Sequence, residues 1–192
     1  MTTNNYFNYR NKVVIILFIL FNHNSISQEK DTLIIWSENY KLSWKDFLGN
    51  NLDSKEDFAA LSSLELRSCP SYYNSKIYNY VIISTFNRYN SISTCNNSHL
   101  LKHEQIHFDI QEIFARKIRK RFLDLKNNKS NDYLYFINFK NYKDSLDIYQ
   151  EKYDKATNYS LNSIEQKYWE NIVKLKLKEL ESYSLENLYN IK

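Results

Sequence analysis

Residues 98–126 read SHLLKHEQIHFDIQEIFARKIRKRFLDLK. Here Leu100, Leu101, His107, Ile110, Phe114, Ile118, Phe122 and Leu125 recur at helical spacing, so one face of the stretch is apolar along its length. The pattern predicts a long helix from Ser98 to about Lys126. Before it the period is two. Ala59 to Arg67 ends in alternation, Leu64 and Leu66 against Glu65 and Arg67, and Ile77 to Phe86 is dense in β-branched and aromatic residues. Thr32 to Trp36 reads as a further strand, and Cys69-Pro70-Ser71 as a turn. After the helix, Asn127 to Asp132 breaks the pattern, and the apolar run 133–139 fits strand or helix equally. Asn141 to Thr157 reads as a second helix, Asn158-Tyr159-Ser160 as a break, and 163–184 as a third helix. Strands first and helices later predict one α+β domain, with N-terminal antiparallel strands followed by three helices.

The composition is that of a folded domain. Of 192 residues, 43% are hydrophobic and 25% charged, which excludes outright disorder. A single Gly and a single Pro exclude collagen-like chains, and there is no glycine-rich loop to cradle a nucleotide phosphate. The charge is +4; removing Arg10 and Lys12 leaves 24 bases against 22 acids, or +2. That near-balance gives no electrostatic footprint for nucleic acid.

Arg10 and Lys12 matter because they precede an apolar run, residues 13–21, followed by Ser25-Ile26-Ser27. A basic start, a short apolar centre and small residues at the cleavage positions predict a signal peptide over 1–27, with cleavage between Ser27 and Gln28. Nine apolar residues fall short of the about 20 that a membrane span needs. The expectation is an exported, periplasmic or extracellular protein, residues 28–192, with no transmembrane span. Export would permit a disulfide between Cys69 and Cys95, the only cysteines; two unpaired thiols are the alternative.

Within the long helix, His103-Glu104-Gln105-Ile106-His107 forms HExxH. Spacing i, i+4 puts both imidazoles on one face, about 6 Å apart, so both can reach one Zn²⁺. Glu104 is placed to take a proton from zinc-bound water and pass it to a leaving group. His99 is less suited: eight residues of straight helix rise about 12 Å, too far for one ion to meet both His99 and His107. His99 is expected near the helix cap or behind the ligands. A catalytic zinc needs a third protein ligand. Asp109 and Glu112 point away from the histidine pair, so an acid or tyrosine from the second or third helix is expected.

The chain also resembles a bacterial family, the domain of unknown function 922, described as predicted secreted zinc-dependent proteases. The residues that carry the resemblance are Trp36, KLSWKDFLG (41–49), Ala59-Ala60, LLKHEQIHFDIQEIFARKIRK (100–120), YDKATNYS (153–160), Gln166 and Trp169. The resemblance implies a zincin-like domain, a zinc cofactor, ligands at His103 and His107, a catalytic base at Glu104, and a peptide or protein substrate. Relatives usually read Tyr-Asp-x-Glu-Thr-x-His-Gly in the later stretch. Here Ala156 replaces the Glu, Tyr159 the His and Ser160 the Gly. Tyr159 therefore stands at the third-ligand position of the pattern; a substituting acid, or a degenerate site that binds peptide or protein without turnover, are the alternatives. N-terminal sequencing of the exported protein is expected to begin at or near Gln28, and an intact Met1 species in the membrane would exclude cleavage.

Overall fold

The computed structural model describes residues 32–50, 59–73 and 76–189, so the expected signal segment and its cleavage point lie outside the described residues. Strands β1 (Leu33–Ile35), β3 (Leu64–Tyr73) and β4 (Lys76–Asn87) form an antiparallel sheet in the order β1-β4-β3. Strands β2 (Ala60–Leu61) and β5 (Ile92–Ser93) pair as a separate two-stranded ribbon. Four helices follow: α1 (Ser98–Asn127), α2 (Asp132–Thr157), α3 (Ser163–Glu179) and the short α4 (Leu185–Tyr189). The architecture is α+β as expected, with one helix more than the sequence suggested. Among the described residues no helix is long and apolar enough to cross a membrane.

Three further differences have local causes. Cys69-Pro70-Ser71 is not a turn: β3 runs through it, with Pro70 opposite Tyr80 and a register shift between Ser71 and Tyr72. Because β3 lies at the sheet edge, a proline's missing N–H is tolerated there. The undecided run 133–139 forms the first turns of α2, where the Asn131 side chain accepts from Leu134 N. Its Tyr135 and Phe139 pack on the core while Tyr133 and Phe136 stay exposed, which is a helical alternation. The last predicted helix ends at Glu179, and a 3₁₀ turn over Glu181–Tyr183 leads to α4. Asparagines also cap α1 and α3: Asn97 accepts from His99 N and Leu100 N, and Asn162 from Glu165 N. Cys69 and Cys95 are free thiols.

α1 is the centre of the domain. Ile106, Ile110, Ile113, Ile118 and Phe122 on it pack with Leu66 and Ile82 of the sheet and with Leu146, Tyr153, Trp169 and Val173 of α2 and α3. Because α1 is covered on several sides, its polar residues are buried too and must find partners. Trp36 Nε1 donates to Asp109 Oδ1 at 2.7 Å, Gln105 Nε2 donates to the same oxygen at 2.8 Å, and Leu42 N donates to Gln105 Oε1 at 2.8 Å. These bonds pin the segment after β1 across α1. Glu112 accepts from Arg116 Nε at 3.0 Å and Arg119 Nη1 at 2.8 Å, and all three side chains are buried. Arg116 also donates to Leu177 O, and Arg119 to Ile82 O and Tyr183 O. One carboxylate thus neutralises two arginines that tie α1 to β4, α3 and the 3₁₀ turn.

Breaking that cluster from one side leaves buried charge without compensation. Glu112→Gln is expected to cost about 3–5 kcal/mol in urea unfolding. A loss under about 1 kcal/mol would show that water relieves the arginines.

Candidate functional site

His103, Glu104 and His107 occupy consecutive turns of α1, and the C-terminal part of α2 lies across them. From α2, Gln150 and Asp154, themselves i and i+4, meet the two imidazoles. Asp154 Oδ1 is 3.0 Å from His103 Nε2 and 2.8 Å from His107 Nε2, and the two Nε2 atoms are 3.1 Å apart. His103, His107 and Asp154 therefore form a three-residue group able to hold a metal ion.

The hydrogen bonds around this group show which atoms are free to bind. Gln150 Nε2 donates to His107 O at 2.9 Å, which fixes the amide, so Gln150 Oε1 accepts from His107 Nδ1 at 2.6 Å. With its proton on Nδ1, a neutral His107 carries a lone pair on Nε2. That lone pair faces a carboxylate oxygen and another ring nitrogen, an arrangement that needs positive charge between the atoms, either a proton or a metal cation. Both titrations reflect this. Burial lowers the His107 pKa, but the hydrogen bond to Asp154 and the charges of Glu104 and Asp154 outweigh it and leave it raised. Burial raises the Asp154 carboxyl, but its bonds to His103 and His107 hold it well below the usual carboxylate range. Ligands about 2.0–2.1 Å from a tetrahedral zinc stand roughly 3.3 Å apart, so the group needs to widen by only a few tenths of an ångström.

Tyr153 supports the histidines from behind. Its ring stacks on His103, with centroids 4.6 Å apart, and meets His107 edge-on at 4.9 Å. Trp169 of α3 backs it at 5.3 Å. Burial, then the nearby charge of Glu104, pushes the Tyr153 hydroxyl far above its ordinary value, so it is a neutral phenol.

Glu104 is 5% exposed and accepts a hydrogen bond from Ser62 Oγ at 2.5 Å. It faces a cleft of about 750 Å³ whose floor is His103, Glu104, His107 and Asp154. One wall is the β2 end, Ala60 to Ser62, and another is the α2–α3 break, Tyr159 to Leu161.

Tyr159 lines the same cleft at its rim and is 64% exposed. It sits in a backbone kink where Asn158, Tyr159 and Ser160 have φ of 48°, 51° and 74°. Three successive left-handed non-glycine residues are strained, and such strain persists only where the surroundings impose it. Here Tyr159 N bonds to Asp154 O, and Asn162 N to Thr157 O, closing the end of α2. His99 is in the first turn of α1, where Gln166 Nε2 donates to its carbonyl at 2.9 Å. Because the helix begins before it, His99 stays apart from the metal-binding group, as the helical rise requires. Asp109 and Glu112 also point elsewhere.

Asp154 and Gln150 were not singled out by spacing. Their signal was their i, i+4 relation on α2 and, for Asp154, the adjoining Tyr153. Chemistry could not select one aspartate from 22 acids without knowing which helix crosses α1. No family model, curated protein or solved structure matches the chain.

Four substitutions separate the ligand candidates from their supports. Asp154→Ala is expected to abolish stoichiometric zinc binding in calorimetry, as His103→Ala should, while Tyr159→Phe should leave it within about threefold. Gln150→Leu should weaken it about 10–100-fold by freeing the His107 ring. Equal loss in Tyr159→Phe and Asp154→Ala would make the phenol a ligand.

Proposed function

We propose that the chain is an exported zinc-dependent hydrolase of zincin-like type, acting on peptide bonds. The observation that carries this reading is the convergence of His103, His107 and Asp154 beside Glu104 on the floor of one cleft. Two imidazoles and a carboxylate are a donor set suited to zinc with an open position. Carbonyl polarisation and water activation near neutral pH are the chemistry zinc supplies in such a site.

The chain's own residues do the rest. Gln150 holds the His107 tautomer and Tyr153 fixes the plane of the His103 ring, so both Nε2 atoms point at one place. Asp154 adds one negative charge and keeps it at neutral pH. Glu104, next in sequence to one ligand yet bonded to none of the three, takes the proton of the attacking water at its carboxylate and delivers it to the leaving amine. The open cleft admits an extended peptide between the β2 end and the α2–α3 break.

The resemblance to the domain of unknown function 922 supports the same reading. Ser160 has φ of 74°, the region glycine favours, where the family pattern has Gly. Asp154, on this reading, supplies the third ligand while Tyr159 stands where relatives have His. The rival reading, a degenerate member that binds a peptide or protein without turnover, draws on that replacement and on Ala156.

Glu104→Gln decides between them. The variant is expected to keep one equivalent of zinc and to lose hydrolysis of a fluorogenic peptide library by about 10²–10⁴-fold. An inactive zinc-loaded parent that still binds library peptides would establish the rival.

A further inference from the structure

We infer that Ser62 is the positioning residue of Glu104, and that the short β2–β3 connection aims the base; the inference rests on the hydrolase reading. Ser62 Oγ and Glu104 Oε2 are 2.5 Å apart across 42 residues of sequence. The hydroxyl donates to the carboxylate oxygen, at the short end of the O–H···O range. Among the described residues Ser62 is the only hydrogen-bond partner of that carboxylate.

The serine is itself held on both sides. Before it, β2 pairs with β5, Ala60 opposite Ser93 and Leu61 opposite Ile92. After it, Ser63 N donates to Ser91 Oγ at 2.8 Å, and Ser63 O accepts from Asn87 N at 2.8 Å. Ser91 is fully buried, and its hydroxyl donates to Asn87 O at 2.6 Å. Gly49 closes the arrangement: its N–H donates to Ser91 O at 2.8 Å, and a Cβ there would lie 2.7 Å from Ile92. The ends of β2, β4 and β5 thus fix the Ser62 backbone, while α1 fixes the Glu104 backbone.

A glutamate on a helix has three rotatable side-chain bonds, and its carboxylate reaches several orientations unless something holds it. The metal-binding residues do not hold this one, because all three converge on each other. Tethering Oε2 to the ribbon end restricts the orientations open to the carboxylate. This makes the base preorganised, the property on which proton transfer in a fixed geometry depends. It also gives the N-terminal ribbon a task in the cleft that it lines together with α1 and α2.

Ser62→Ala tests the tether in the mature zinc-loaded protein. Crystal structures should show one Glu104 orientation in the parent and a rotated or divided carboxylate in the variant. On a peptide that the parent cleaves, kcat should fall about 10–100-fold while KM and zinc affinity stay within about twofold. An unmoved Glu104 in Ser62→Ala overturns the inference whether or not the protein hydrolyses peptides. So does full kcat in Ser62→Ala beside an inactive Glu104→Gln. A displaced Glu104 in a protein whose parent has no activity would uphold the tether and remove the hydrolase reading.

Discussion

The burial of α1 is the constraint on which the domain is built. More than half of its 30 residues are buried, including Glu104, Gln111, Glu112, Arg116 and Arg119. A helix covered on one side needs only an apolar stripe. A helix covered by a sheet, a ribbon and two other helices also buries polar groups, and several of their partners lie on other elements. Gln111 donates to Ser84 Oγ at 2.8 Å and to Thr85 O at 3.1 Å, joining α1 to β4. The Glu112 cluster joins it to the chain after α3, and Asp109 with Gln105 joins it to the segment after β1. The polar bonds of α1 thus set the arrangement of the domain at the same time as they stabilise it.

The site follows from the same arrangement. Each of its parts reaches α1 from a different element: Asp154 and Gln150 from α2, Ser62 from the ribbon end, and Trp169 through Tyr153 from α3. Close approach of two imidazoles and a carboxylate is unfavourable in isolation, because acceptor atoms face each other with little water between them. The packing of α2 on α1 maintains it. The strained kink at Asn158 to Ser160 begins four residues after Asp154, at the end of α2, and turns the chain into α3. A regular continuation of α2 would carry Tyr159 along the helix axis; the kink leaves it on the rim, facing the cleft.

Sequence periodicity determined a good deal of this. The apolar spacing of residues 98–126 fixed the existence and length of α1, and HExxH fixed which two histidines share a turn, because a helix has one period whatever surrounds it. The alternation at Leu64 to Arg67 and the β-branched run before Phe86 located the two long strands. The strand through Cys69 to Ser71 was hidden because proline and serine read locally as a turn, and only the sheet edge makes them acceptable in a strand. The helical nature of 133–139 was hidden because a short apolar run has no decisive period, and the core contacts of Tyr135 and Phe139 settle it.

The tertiary structure alone decided what stands opposite the helix. The two histidines and Glu104 are local: their mutual geometry depends on neighbouring residues in one helix. Asp154, Gln150 and Ser62 are 51, 43 and 42 residues from the side chains they hold. Their roles come from where α2 crosses α1 and from where the ribbon ends, which depend on packing and not on spacing. Tyr159, put forward by the position it occupies in a sequence pattern, and Asp154, five residues earlier, differ in just this respect: the last turn of α2 carries Asp154 inward, and the left-handed kink turns Tyr159 out to the rim. One sequence could name the helix that carries two candidate ligands, but the third candidate had to wait for the fold, because only packing brings separate helices within the few ångströms that a shared ion would require.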